Sequence, residues 1–121
     1  MSRANAEVIV VGGGIVGCAL ALGLQRRGAE VLLLDAAPPA AWRGEAPDLR
    51  VYAIAADTQA LLDALGVWDG IRRHRACAYT GMRVRDAGGD GEFHVEAATM
   101  GVPQLGHIIE HSLILAQLQA A

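Results

Sequence analysis

The sequence predicts an α/β fold with a parallel sheet, and three observations support this expectation. Residues 7–12 form an apolar strand-like run, residues 15–27 have a helical pattern that ends at Gly28, and residues 31–34 are apolar at every position. Strands that are buried on both faces of a parallel sheet have this composition. Strand, helix and strand within about 30 residues indicate a right-handed βαβ unit over residues 7–35.

Length and composition are compatible with one small domain. The chain has 121 residues, of which 53% are hydrophobic, and its net charge is −3. Disorder requires low hydrophobicity and high net charge, and nucleic-acid binding favours a basic surface, so neither is expected. Cys18 and Cys77 are too few for a disulfide framework, which favours a cytoplasmic location. Five glycines interrupt the apolar run at residues 8–24, which argues against a signal peptide or membrane span.

The middle of the chain, residues 36–75, is predicted as a loop followed by a helix. Prolines exclude a central strand from the loop. Asp57 or Thr58 can cap the helix, and Gly66 ends it. A short turn through Trp68 follows.

The remainder is predicted as a hairpin and then a strand with a helix. Apolar and polar residues alternate on both sides of the turn sequence AGGDG, which predicts a β-hairpin over residues 80–97. Residues 106–121 are predicted to form a strand and then an apolar helix that begins at Glu110 or Ser112. The chain ends within this helix, so we expect it to be part of a longer domain.

A glycine-rich loop joins the first predicted strand to the first helix, which is the context that a Gly-x-Gly-x-x-Gly nucleotide motif requires. Its first glycine permits a tight turn, its second lets a pyrophosphate approach the backbone, and its third lets helix and strand pack closely. The helix N-terminus favours phosphate. The predicted cofactor-binding residues of this loop are Gly12, Gly13, Gly14, Ile15, Val16 and Gly17.

Asp35 completes the predicted nucleotide site. It follows Gly17 by eighteen residues and ends the second strand, where an acid is expected to bind the ribose hydroxyls. Because a carboxylate repels a 2′-phosphate, FAD or NAD is expected rather than NADP. A purely structural βαβ unit is the alternative.

A resemblance distinguishes between these cofactors. DLRVYAIAADTQALLDALGVW, residues 48–68, resembles a block of the ubiquinone-biosynthesis hydroxylases of the UbiH/VisC type, which are FAD-dependent aromatic monooxygenases. GHIIEHSLILAQL, residues 106–118, is similar to a later block of that family. One departure is His111-Ser112, where the family often has Asn-Arg.

The resemblance implies a truncated flavin monooxygenase fold with an added hairpin, corresponding to the N-terminal portion of such an enzyme. It also implies FAD as cofactor, NAD(P)H as reductant, and oxygen and a prenylated phenol as substrates. Arg50 is implied to lie near the flavin or its pyrophosphate, where a guanidinium suits phosphate. No catalytic residue is assigned, and the fragment alone is expected to be inactive. A prenylated substrate is compatible with peripheral association of the intact enzyme at the inner face of the membrane.

Two alternatives stay open: an NAD-binding module of a dehydrogenase, and a non-catalytic nucleotide-binding or interaction protein. The predicted hairpin argues against the first, because a plain dinucleotide fold alternates strand and helix. The basic run at residues 72–75 is interpreted as a solvated helix end, and Trp68 and Phe93 as core residues. The histidine spacing gives no reason to expect a metal site.

Overall fold

Seven strands and four helices occur in the computed structural model, which describes residues 5–38 and 41–121. In chain order they are β1 (Val8–Val11), α1 (Ile15–Gln25), β2 (Val31–Leu34), β3 (Val51–Ala55), α2 (Ala56–Ala64), α3 (Trp68–His74), β4 (Cys77–Tyr79), β5 (Gly81–Arg85), β6 (Glu92–Glu96), β7 (Gly106–Glu110) and α4 (His111–Ala120).

The first sheet contains the predicted βαβ unit. β1 and β2 are parallel and in register from Val8 opposite Val31 to Val11 opposite Leu34. α1 connects them and ends at Gln25, two residues earlier than predicted. Gly28 then adopts a left-handed φ of +91°, which a residue with a side chain rarely adopts. The predicted α/β class with parallel strands is confirmed.

A second sheet has the order β3-β7-β4, with both pairs antiparallel. It includes β3, which lies within residues 36–75 where the sequence predicted only a loop and a helix, and β4, which follows that segment and was not predicted. β3 runs directly into α2, whose N-cap residue is Ala55. The expected caps, Asp57 and Thr58, are instead inside the first turn, where the Asp57 carboxylate accepts a hydrogen bond from the Thr58 amide. The expected turn at Trp68 is the helix α3.

The hairpin forms a separate two-stranded sheet. β5 and β6 pair antiparallel, from Gly81 opposite Glu96 to Arg85 opposite Glu92. Phe93 lies on this hairpin with 60% of its surface exposed, so its assignment to the core was wrong. The alternating pattern indicated a strand but did not indicate whether another element covers its apolar face.

The core lies where α1, α2, α3 and α4 pack with β3 and β7. Its most deeply buried members are Ile71, Ile109, Leu113 and Ile114. Trp68 is also buried there, as predicted. α4 begins at His111 with Glu110 at the N-cap position, although the Glu110 side chain does not cap it. Within residues 5–38 and 41–121, the helices are too short or too polar to cross a lipid bilayer.

Candidate functional site

The glycine loop turns sharply between β1 and α1. Gly12 has a φ of +105°, and its amide donates to the Leu34 carbonyl oxygen at 2.7 Å, which ties the turn to the end of β2. A Cβ atom at Gly17 would lie only 1.8 Å from the Gly12 carbonyl oxygen. Helix and turn therefore approach more closely than any side chain at position 17 allows, as the third glycine of the motif requires.

The N-terminus of α1 is open. Gly14 occupies the N-cap position without a side-chain hydrogen bond, and no acidic residue lies in the first turn. A Cβ atom built at Gly14 would have nothing within 4 Å. In that first turn Val16 is 80% exposed, whereas Ile15 packs against the core. The first amides of a helix lack intrahelical acceptors, so this end presents free N–H donors and a positive dipole end to an anion.

Asp35 lies directly beside the glycine loop. Its Oδ2 atom accepts a hydrogen bond from the Gly13 amide at 2.9 Å, and its Oδ1 atom accepts one from the Ala37 amide at 3.2 Å. A Cβ atom at Gly13 would lie 2.4 Å from Oδ2. The sequence motif gives no reason for glycine at position 13, and the close approach of this carboxylate supplies one. Each carboxylate oxygen has a further lone pair for a hydroxyl donor.

An open cleft adjoins this loop. Its volume is about 620 Å³, and its lining includes Gly13, Asp35, Leu33 and Leu118. Cys18 also lines the cleft, and its thiol donates to the Gly13 carbonyl oxygen at 3.3 Å. Burial, and secondarily the charge of Asp35, raises the pKa of the Cys18 thiol. The thiol therefore remains protonated as a donor that supports the loop.

Arg50 is exposed and directly precedes β3. Its backbone lies beside the first residue of α4, not beside the glycine loop. Its guanidinium carbon is 5.6 Å from the centre of the Tyr52 ring. Its amide donates to Asp48 Oδ1 at 3.0 Å, and its carbonyl oxygen accepts from the His111 amide at 2.9 Å. No hydrogen bond in the described ranges joins Arg50 to residues 12–17, so its contact with a cofactor stays a prediction.

A polar network that the sequence did not indicate surrounds the backbone of Arg50. Asp48 accepts hydrogen bonds from the amides of Arg50 and Ser112, and these bonds hold the pKa of its carboxyl below the ordinary value. The Asp48 amide donates to Glu110 Oε1 at 2.7 Å. Glu110 also pairs with Arg75, whose Nε is 3.1 Å from Oε2. The interpretation of residues 72–75 as a solvated helix end is therefore wrong for Arg75.

Comparison with known proteins agrees with this geometry. Residues 7–48 match the family described as FAD dependent oxidoreductase. The whole chain is 36% identical to 3-demethoxyubiquinol 3-hydroxylase of Escherichia coli K12, and 90% of it is 35% identical to the ubiquinone hydroxylase UbiL of Rhodospirillum rubrum. The chain spans 31% and 25% of the lengths of these two relatives.

The fold is shared with flavin-dependent monooxygenases. The crystal structure of p-nitrophenol 4-monooxygenase PnpA from Pseudomonas putida DLL-E4 superimposes with a TM-score of 0.66 at 24% identity, covering 99% of this chain and 29% of that one. The chain therefore has the fold of the flavin-dependent monooxygenases, and its residues 7–48 are similar to the FAD dependent oxidoreductase family. Within that class, the resemblance to the ubiquinone-biosynthesis hydroxylases is confirmed.

Proposed function

We propose that this chain binds the adenosine diphosphate part of FAD, as the FAD-binding portion of a monooxygenase that hydroxylates a prenylated phenol in ubiquinone biosynthesis. One observation carries the proposal: the uncapped N-terminus of α1 opens onto free space beside Gly14, with the Asp35 carboxylate next to it. A diphosphate and a ribose are adjacent in FAD, and these two features are the groups that would bind them.

Each residue of the loop has a separate role in this proposal. The Gly12 turn and the Gly17 contact set the helix end, the bare Gly14 lets phosphate oxygens reach the amides, and Asp35 accepts from ribose hydroxyls. Ile15 and Val16 contribute backbone amides rather than side chains. Arg50 would add a positive charge toward the diphosphate.

The flavin, when bound, would supply the redox chemistry, with NAD(P)H as reductant and oxygen as co-substrate. This chain's residues contribute binding and orientation, so hydroxylation by the chain alone is not expected. A prenylated phenol would reach the intact enzyme from a membrane. We therefore propose that the intact enzyme is cytoplasmic and associates peripherally with the membrane.

The alternative of an NAD-binding dehydrogenase module is disfavoured on two grounds. The matched family is named for FAD, and after the first βαβ unit the chain continues with the antiparallel β3-β7-β4 sheet and a hairpin instead of further parallel strands. The non-catalytic alternative would require nucleotide binding without any role in a redox enzyme.

Gly14→Ala tests the proposal without disturbing the fold. Gly14 has φ −75° and ψ −173°, which alanine adopts freely, and its Cβ would contact nothing. The methyl group would, however, occupy the approach to the helix amides, so we expect FAD affinity to fall about tenfold or more. Fluorescence anisotropy of FAD titrated with the chain measures this affinity.

Gly23→Ala is the matched control. Gly23 lies in the same helix, and its added Cβ would make ordinary contact with Leu65 at 3.7 Å. This variant should bind FAD as the unaltered chain does. Equal affinity of the Gly14→Ala variant and the unaltered chain would contradict the assignment of the loop, and NAD binding in preference to FAD would support the dehydrogenase alternative.

A further inference from the structure

A buried carboxylate links three segments of the chain that are distant in sequence. Glu110, at the end of β7, is 6% exposed and is the buried charged residue of the described core. Its Oε1 atom accepts from the Asp48 amide, and its Oε2 atom is 3.1 Å from Arg75 Nε. The N–H of Arg75 is not aligned for a hydrogen bond to Oε2, so this contact is an ion pair. Burial of an unpaired carboxylate costs free energy, so the buried charge of Glu110 requires the positive charge of Arg75 as its partner.

Arg75, which directly follows α3, also holds the loop before β3. Its terminal nitrogen donates to the Gly44 carbonyl oxygen at 3.0 Å, and its guanidinium carbon lies 5.4 Å from the centre of the Trp42 ring. One planar guanidinium therefore contacts the loop and Glu110 together. Lysine, a single point charge, cannot reproduce that fork.

The network continues from Glu110 to Arg50. With its amide held by Glu110, Asp48 directs its carboxylate to the amides of Arg50 and Ser112, at 3.0 and 3.2 Å. The His111 amide donates to the Arg50 carbonyl oxygen. Both backbone hydrogen-bonding groups of Arg50 are thus fixed, while its side chain stays exposed.

We propose that Arg75 is a positioning residue, which acts through Glu110 and Asp48 to set Arg50 for the diphosphate of a bound dinucleotide. The inference rests on the proposed function, because Arg50 must face the cofactor. The neighbouring Arg72 has no such connection: it is largely exposed and pairs with Asp69 within its own helix.

Arg75→Gln tests this inference, with Arg72→Gln as the matched control on the same helix end. We expect Arg75→Gln to lower the affinity of the chain for FAD about tenfold and to leave its affinity for adenosine, which has no phosphate, unchanged. Hydrogen exchange of the amides of residues 42–50, measured without ligand, should become faster. Arg72→Gln should change none of these quantities.

A second variant covers the case in which Arg75→Gln does not fold. Arg75→Lys keeps a positive charge near Glu110 but loses the planar fork, so it should also speed exchange in residues 42–50 and weaken FAD binding. Circular dichroism and thermal unfolding confirm that each variant is folded.

The outcomes separate this inference from the proposed function. If Arg75→Gln lowers only the thermal stability and leaves FAD affinity intact, Arg75 is merely structural and the inference fails while FAD binding stands. Equal loss of affinity for FAD and adenosine would also overturn it, since the effect would not involve the diphosphate. If the unaltered chain binds no FAD, the proposed function fails as well.

Discussion

Because α1 contacts the glycine turn closely, we predict that Gly17→Ala lowers the free energy of unfolding, whereas Gly23→Ala in the same helix raises it. In Gly17→Ala the new Cβ would lie 1.8 Å from the Gly12 carbonyl oxygen and 2.9 Å from its carbonyl carbon. Real Cβ contacts are not shorter than 3.0 Å, so the helix or the turn must move by about 1.2 Å. The obstructing atoms belong to the backbone and cannot rotate away.

The magnitude follows from two competing terms. Alanine in place of a mid-helix glycine gains about 0.5–1 kcal/mol, whereas overpacking costs about 1–3 kcal/mol and more where backbone must shift. We expect Gly17→Ala to lose about 2 kcal/mol of unfolding free energy, and Gly23→Ala, which meets no close atom, to gain about 0.5–1 kcal/mol.

Urea denaturation followed by circular dichroism measures both free energies on the same chain. A difference of about 1 kcal/mol corresponds to a change of about 4 °C in melting temperature, so thermal unfolding gives an independent check. If Gly17→Ala were as stable as Gly23→Ala, helix and turn would not be in contact, and the geometry of the proposed phosphate site would be wrong.

Two further predictions concern titratable groups. Because hydrogen bonds lower the pKa of Asp48 in the folded chain, its stabilising contribution is complete above its unfolded pKa of about 3.9 and is lost as the pH falls through the lower folded pKa. The difference in unfolding free energy between the unaltered chain and Asp48→Asn should therefore shrink as the pH decreases from 6 toward acid, and a pH-independent difference would contradict this. Cys18 is 3% exposed with a raised pKa, whereas Cys77 is exposed, so Ellman's reagent should titrate one thiol rapidly in the folded chain and two in denaturant. Rapid reaction that persists in Cys77→Ser would show that Cys18 is accessible.

Local patterns explain what could be predicted from the sequence. The βαβ unit combines an apolar strand, a glycine turn and a helix within one short stretch, so every step of its geometry is encoded by near neighbours. The same is true of the adjacency of Asp35 to the loop, because parallel strands β1 and β2 place their carboxyl ends side by side.

Long-range contacts explain what could not be predicted. β3 was not predicted from the sequence because it runs into α2 without a polar cap or a turn residue between them. The Asp48–Glu110 hydrogen bond joins residues 62 positions apart, and Arg75 lies in a basic run whose other arginines are exposed. Nothing in the local pattern distinguishes Arg75 from them.

We infer that the amides at the start of α1 hold a diphosphate next to Asp35. The most direct measurement is a titration of the ¹⁵N-labelled chain with FAD, followed by amide chemical shifts. We expect the largest shifts at Gly13, Gly14 and Ile15, together with the amides hydrogen-bonded to Asp35. Large shifts elsewhere, with the amides of residues 12–17 unchanged at saturating FAD, would contradict it.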